Sequence, residues 1–250
     1  MAEQVENSDR TVIEARKLTK AFGENVVIKD VSFDLNYKEN IVILGKSGTG
    51  KSVLIKSIVG LHEPDAGELK VLGKDLNKLD KDELDQLRLK VGYLFQGGAL
   101  YDSMTVRENL LFPIERQTEK IPREEREEAI IEALSNVGLE KAIDKMPSEL
   151  SGGMKKRIAL ARTLILKPEI VLYDEPTTGL DPVTSKEISE LIIHMQNKFN
   201  ISAIIITHDI SCVKVVSDRI FIIKDGLFGV EGTYDELKNS DDEWVRSFFE

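Results

Sequence analysis

The chain has 250 residues, of which 41% are hydrophobic and 31% charged, enough to bury one large core or two small ones without covalent staples. A single cysteine, Cys212, excludes an internal disulfide, and a formal charge of −10 argues against a nucleic-acid duplex as the main ligand, because neutralising phosphates asks for a basic face. No apolar run approaches the roughly 18 residues of a spanning helix, so a membrane role would need a partner, and the polar, acidic residues 1–10 lack the apolar stretch of a secretory leader, which points to the cytosol.

Apolar Val12, Ile13, Ala15 and Leu18 are spaced among polar neighbours in residues 11–22, and alternation resumes in residues 26–35 after Gly23-Glu24-Asn25. This predicts two antiparallel strands joined by a tight turn. The apolar run Ile41-Val42-Ile43-Leu44 predicts a buried strand, followed by a glycine-rich loop and a helix over residues 53–59. A short strand pair is expected near residues 68–73, a helix over 80–89 and a strand over 91–95 that ends on Gln96. From there to about residue 167 the spacing is helical, over 105–112, 122–137 and 152–166, with no convincing strand. Alternation then returns with a strand at 170–173, a helix at 182–198, a strand at 202–206, a short helix through Val213, a strand at 219–223 and a helical carboxyl end. Strands alternating with helices predict an α/β fold whose largely parallel sheet is covered on both faces, its sequence divided by a helical insert.

The loop after the buried strand reads Gly45-Lys46-Ser47-Gly48-Thr49-Gly50-Lys51-Ser52, a G-x-x-x-x-G-K-[ST] sequence in the strand, loop and helix context that such a phosphate-binding loop requires. Its glycines let backbone N–H groups turn inward on an anion, and the helix that Val53 continues offers its positive end. Lys51 can reach the outer phosphates and Ser52 can ligate Mg2+. The apolar strand Ile170-Val171-Leu172-Tyr173 ends in Asp174 and Glu175, at the edge of the sheet where ligands of open α/β folds bind. Asp174 is a candidate Mg2+ ligand through water and Glu175 a candidate general base; the alternative is that one acid only caps the following turn. Leu150-Ser151-Gly152-Gly153-Met154 opens an amphipathic helix and offers a serine hydroxyl with free N–H groups as a second anion site, or else a plain N-cap with a glycine turn.

With that second site, the chain resembles an ATP-binding cassette (ABC) ATPase, whose signature motif is usually Leu-Ser-Gly-Gly-Gln; Met154 departs from the glutamine. The resemblance covers nearly the whole chain. It implies a P-loop NTPase of the ABC ATPase fold: a mixed sheet core with an antiparallel β subdomain (residues 11–96 and 168–232), an inserted helical subdomain (97–167) and a helical tail (233–250). ATP and Mg2+ are the implied cofactors, with Lys51, Gln96, Glu175 and His208 in catalysis and Ser52, Gln96 and Asp174 toward the metal. The resemblance puts Phe22 where an aromatic ring stacks on adenine, although an isolated phenylalanine reads as core. Gln96 matches a glutamine that touches Mg2+ and the attacking water, His208 matches a histidine that binds the γ-phosphate, and Gly179-Leu180-Asp181 matches the D-loop, Asp181 being also an N-cap before Pro182. Because the phosphate loop and Ser151-Gly152-Gly153 lie on opposite sides of one cassette, a head-to-tail homodimer is implied.

Within the family, Leu-Ser-Gly-Gly-Met together with residues 95–109 and 173–182 resembles the ATPases of bacterial Mla-type lipid transporters. These act with an integral-membrane permease, received after Gln96, and an MCE-domain lipid-binding protein. A peripheral position on the cytoplasmic face of the inner membrane is implied. The competing expectations are the ATPase of a small-solute importer and a soluble ATPase of iron-sulfur assembly. Away from these motifs, His62 reads as a turn residue, His194 as a helix-surface residue and Cys212 as a small apolar filler. The charge run over residues 123–128 reads as a solvated helix face. Trp244, Val245, Phe248 and Phe249 form an apolar stripe that could pack on its own chain or on a neighbour.

Overall fold

The computed structural model describes residues 10–46, 48–117 and 121–250, so Ser47 of the glycine-rich loop and the acidic residues 1–9 lie outside it. The two alternating runs form β1 (Thr11–Phe22) and β2 (Asn25–Asn36), paired antiparallel. The buried run forms β3 (Asn40–Gly45) and leads through the loop into α1 (Lys51–Ile58). Next come β4 (Ala66–Val71), β5 (Lys74–Asp75), α2 (Lys81–Leu89) and β6 (Val91–Leu94). Asp80 starts α2 with a capping box, accepting from the Glu83 N–H while Glu83 accepts from the Asp80 N–H.

Three helices follow: α3 (Val106–Glu115), α4 (Arg123–Asn136) and α5 (Gly152–Leu164), and no strand lies between Leu94 and Ile170 among the described residues. The pattern then alternates through β7 (Ile170–Asp174), α6 (Pro182–Phe199), β8 (Ser202–Ile206), α7 (Ile210–Val216), β9 (Arg219–Lys224) and β10 (Leu227–Gly232). Two short helices, α8 (Tyr234–Lys238) and α9 (Glu243–Arg246), close the chain.

The strands make two sheets, a four-stranded one in the order β2-β1-β4-β5 and a six-stranded one in the order β10-β9-β3-β8-β7-β6. In the larger sheet every neighbouring pair from β9 to β6 is parallel and only β10 runs antiparallel, so the sheet is mixed. Strand periodicity sorts its residues between two cores. Ile41 and Ile43 face the smaller sheet and α1, packing with Ile13, Leu18, Leu35, Leu54 and Ile55. Val42 and Leu44 face α5, α6 and α7, packing with Leu160, Ile192 and Val213. Each such fully buried Ile or Leu contributes about 1.5–3 kcal/mol relative to exposure. A third cluster, including Leu110, Ile114, Ile130, Leu134 and Ile158, joins α3, α4 and α5.

The structure differs from the sequence expectation in two places. α3 does not stop at Phe112 but passes through Pro113 to Glu115, because Leu110 and Ile114, one turn apart, are both buried in the third cluster and hold the last turn in place. The strand β10 was not expected, since Gly229 and Gly232 dilute its pattern. Its pairing follows from the turn Asp225-Gly226, whose φ values of 52° and 78° give the two consecutive positive dihedrals of a tight hairpin between Lys224 and Leu227. Of the two packings open to the carboxyl-terminal stripe, the chain adopts the internal one: Val245 is fully buried, and Trp244, Phe248 and Phe249 pack against the second core. Cys212 is a buried filler, its thiol pushed up to about 11 by burial and so kept neutral.

Tyr173 on β7 is fully buried, and no group among the described residues hydrogen-bonds its hydroxyl. Tyr173→Phe is therefore expected to leave stability unchanged or raise it by up to about 1 kcal/mol, read as the urea midpoint. A clear loss would show that the hydroxyl is paired.

Candidate active site

The loop after β3 turns into α1 at Gly50, which has φ 97° and takes the N-cap position. A Cβ there would lie 2.6 Å from the Val27 carbonyl oxygen, so both the dihedral and the space require glycine. The turn leaves the first N–H groups of α1 facing a cleft, and Lys51 folds back over the loop. Its Nζ donates to the carbonyls of Gly45 at 2.7 Å and Lys46 at 2.9 Å. Burial lowers the pKa of this amine, while the charges of Glu175 and Asp174 act in the opposite direction.

Across the cleft, β7 delivers Asp174 and Glu175. The Ser52 hydroxyl donates to Asp174 Oδ1 at 3.3 Å, and the Tyr93 hydroxyl donates to Asp174 Oδ2 at 3.2 Å, so one carboxylate joins the start of α1 to the end of β6. Glu175 has a positive φ of 53°, held by its N–H donating to the Ile206 carbonyl at 2.8 Å. Its Oε2 accepts from Thr178 Oγ1 at 3.0 Å and lies 2.8 Å from His208 Nδ1. The Glu175 side chain is only 14% exposed and that of His208 is 70% exposed, so the acid is shielded while the imidazole stands in the opening. Asp209, next in the chain, caps α7 and accepts from Thr177 Oγ1 at 3.0 Å, which ties the segment after β8 to the segment after β7.

The cleft is lined by Gly45, Gly48, Gly50, Lys51, Ser52, Val53, Gln96, Asp174, Glu175 and His208, together with Val27 and Ile206. The lining thus gathers ten residues that the motifs single out. Lys46 and Thr49 shape the loop from behind, the Thr49 hydroxyl donating to the Lys46 carbonyl at 2.9 Å. Ser47 lies outside the described residues. Five other positions stand apart from the cleft lining. Phe22 is 47% exposed and lies edge-on to His62 at 5.3 Å, which corrects its reading as core. Ser151 accepts from the Met154 N–H as the N-cap of α5, and Ser151 and Gly152 are exposed, with Gly153 beside them. Asp181 caps α6 through the Val183 and Thr184 N–H groups, both at 3.1 Å.

Two residues at the site escape motif reasoning. Tyr93 is known only by its reach to Asp174. Lys156 is 7% exposed and donates to the carbonyls of Gln96 and Glu175. The available signal was its position one turn before Leu160 on the apolar face of α5, where a charge is out of pattern.

Chemically, the cleft offers backbone N–H groups and an ammonium to an anion. It also holds a hydroxyl and a carboxylate 3.3 Å apart, a hard-oxygen pair suited to Mg2+ with phosphate and water completing the shell. Among the described residues no group of three or more His, Cys, Asp and Glu could hold a metal by itself.

The sequence matches the model of the ABC transporter family over residues 28–178. It is 39% identical over 94% of its length to the probable ribonucleotide transport ATP-binding protein mkl of Mycobacterium leprae, covering 68% of that protein. It is 36% identical over 96% of its length to the intermembrane phospholipid transport system ATP-binding protein MlaF of Haemophilus influenzae, covering 90% of that protein. Among solved structures, the dimeric post-hydrolysis state of the ATP-binding cassette MJ0796 with ADP and phosphate aligns with a TM-score of 0.80 at 32% identity, over 88% of this chain and 98% of that one.

Gly50→Ala is expected to weaken binding of a fluorescent ATP analogue by roughly tenfold or more while the chain stays folded, because the methyl group pushes the loop off the Val27 carbonyl. Unchanged affinity would show that the loop accommodates a side chain there.

Proposed function

This chain belongs to the ABC transporter family as an ATP-binding and ATP-hydrolysing subunit, and from that premise we propose that it powers the movement of phospholipid between membranes. The observation that carries the reading is the cleft around Lys51, Asp174 and Glu175, in a chain that matches the phospholipid transport protein MlaF over 96% of its own length and 90% of that protein's. The relative named for probable ribonucleotide transport is slightly more identical at 39% but is covered over only 68%. It supports a second reading, the ATPase of a small-solute transporter.

In the proposed mechanism, the loop N–H groups and Lys51 bind the outer phosphates of ATP, with Gly45, Lys46, Ser47, Gly48, Thr49, Gly50 and Val53 forming the cradle and Phe22 stacking on adenine. Ser52, Gln96 and Asp174 would hold Mg2+, which supplies charge neutralisation to the phosphates. Glu175 takes a proton from the attacking water, a role supported by its shielded carboxylate beside His208. His208 steadies the γ-phosphate. Since Ser151, Gly152 and Gly153 stand outside this chain's own cleft, they would complete the site of a second copy, with Asp181 near the contact, in a two-fold dimer. Differential ATP affinity of closed and open dimers then provides the stroke.

No helix among the described residues is long and apolar enough to cross a membrane. The proposed assembly therefore includes an integral-membrane permease, docked on the segment after Gln96, and an MCE-domain lipid-binding protein. The ATPase would sit peripherally on the cytoplasmic face of the inner membrane.

Glu175→Gln is expected to lower turnover by at least about a hundredfold while trapping an ATP-bound dimer visible by light scattering. Hydrolysis equal to the parent would remove Glu175 from the base role. Purification of the full chain from native membranes in mild detergent is expected to recover a multi-spanning permease, an MCE-domain protein and phospholipid. Recovery of a permease with a small-solute binding protein would favour the second reading, and recovery without any membrane protein would refute both.

A further inference from the structure

Helix α5 meets two of the cleft-lining residues, Gln96 and Glu175, through Lys156. Five residues after Ser151, this lysine sits about 7 Å further along the helix axis, 7% exposed, among residues that include fully buried Ile158 and Ala159. Its ammonium donates to the Gln96 carbonyl at the end of β6 and to the Glu175 carbonyl at the end of β7, the latter at 3.3 Å. Burial lowers its pKa, opposed by the charges of Glu175 and Asp174. A buried ammonium is costly unless it is paired and hydrogen-bonded, and here two main-chain oxygens from two different segments satisfy it. Both segments need holding. Glu175 has a φ of 53°, unusual for a residue with a side chain, and Gln96 begins a stretch with no regular structure before α3.

We infer that Lys156 is a positioning residue for hydrolysis: it fastens α5 to the main chains of Gln96 and Glu175 and so sets where these two side chains stand in the cleft. Its hydrogen bonds run to main-chain carbonyls outside the phosphate loop. Its effect falls on the chemical step rather than on nucleotide capture, which depends on Lys51 and the loop. Because α5 also carries Ser151 at its start, Lys156 makes the docking of that helix a condition for correct placement of the base. This rests on the assignment of Glu175 and Gln96 to the reaction proposed above.

The test compares the full-length chain with Lys156→Met, Lys156→Gln and Lys156→Arg. It reads turnover at saturating ATP, affinity for a fluorescent ATP analogue and the thermal midpoint. Lys156→Met is expected to lower kcat by about tenfold or more while nucleotide affinity stays within about threefold. Lys156→Arg, which keeps the charge and the donors, is expected to recover most of kcat. Lys156→Gln applies the same criteria should the methionine variant not fold. Undiminished kcat overturns the inference, as does a loss of kcat matched by equal losses of affinity and thermal midpoint, or a failure of arginine to restore any activity. Glu175→Gln with parental hydrolysis would instead bring down the base assignment. A selective kcat loss in Lys156→Met in that case would still support the positioning role for Gln96.

Discussion

In the larger sheet Asp174 of β7 stands opposite Ile206 of β8, and Ile206 stands opposite Ile43 of β3, so β7 and β8 end level with one another and β3 runs two residues further to Gly45. That register brings the phosphate loop, the strand-terminal acids and the His208 segment to a common edge. It is held by side chains rather than by the site. A one-residue slip of β3 would send Ile41 and Ile43 toward the helices and Val42 and Leu44 toward the smaller sheet, exchanging two packed faces at once. The hydrophobic pattern of the strands thus determines the geometry of the polar cleft.

Within the cleft, charge is distributed so that each buried group has a counterpart. Lys51 and Lys156 are both largely buried, both have pKa values lowered by that burial, and both are partly compensated by Glu175 and Asp174. Their donors are occupied by main-chain carbonyls of the loop and of the segments after β6 and β7. An incoming polyphosphate would exchange the Lys51 carbonyl contacts for charge-assisted ones while leaving those of Lys156 in place. In the proposed mechanism the two lysines divide the work, one exchangeable and one fixed.

The chain is acidic, with a formal charge of −10, yet its cleft lining includes the ammonium of Lys51. Other polar devices at the edge are local caps and turns, as with Asp181 on α6 and Asp209 on α7. These caps place the ends of two helices without entering the cleft. The exposed start of α5, with Ser151 and Gly152 outside the lining of this chain's cleft, gives the proposed two-copy arrangement its physical motive.

Short-range chemistry made much of this legible in the sequence. Strand periodicity, the glycine-rich loop, the two acids ending an apolar strand and the cap at Asp181 each involve residues within a few positions of one another. The Asp225-Gly226 turn was a signal of the same kind, and β10 could have been read from it. What the tertiary structure alone decided depends on contacts far apart in the chain. Lys156 meets Gln96 across 60 positions and Tyr93 meets Asp174 across 81, so nothing in either neighbourhood announces the partner. The continuation of α3 past Pro113 depends on a core made with α4 and α5, which outweighs the local preference of proline to end a helix. The carboxyl-terminal aromatics had an apolar stripe that required cover, but only the folded chain, by leaving the second core open beside α8 and α9, determined that the cover is its own.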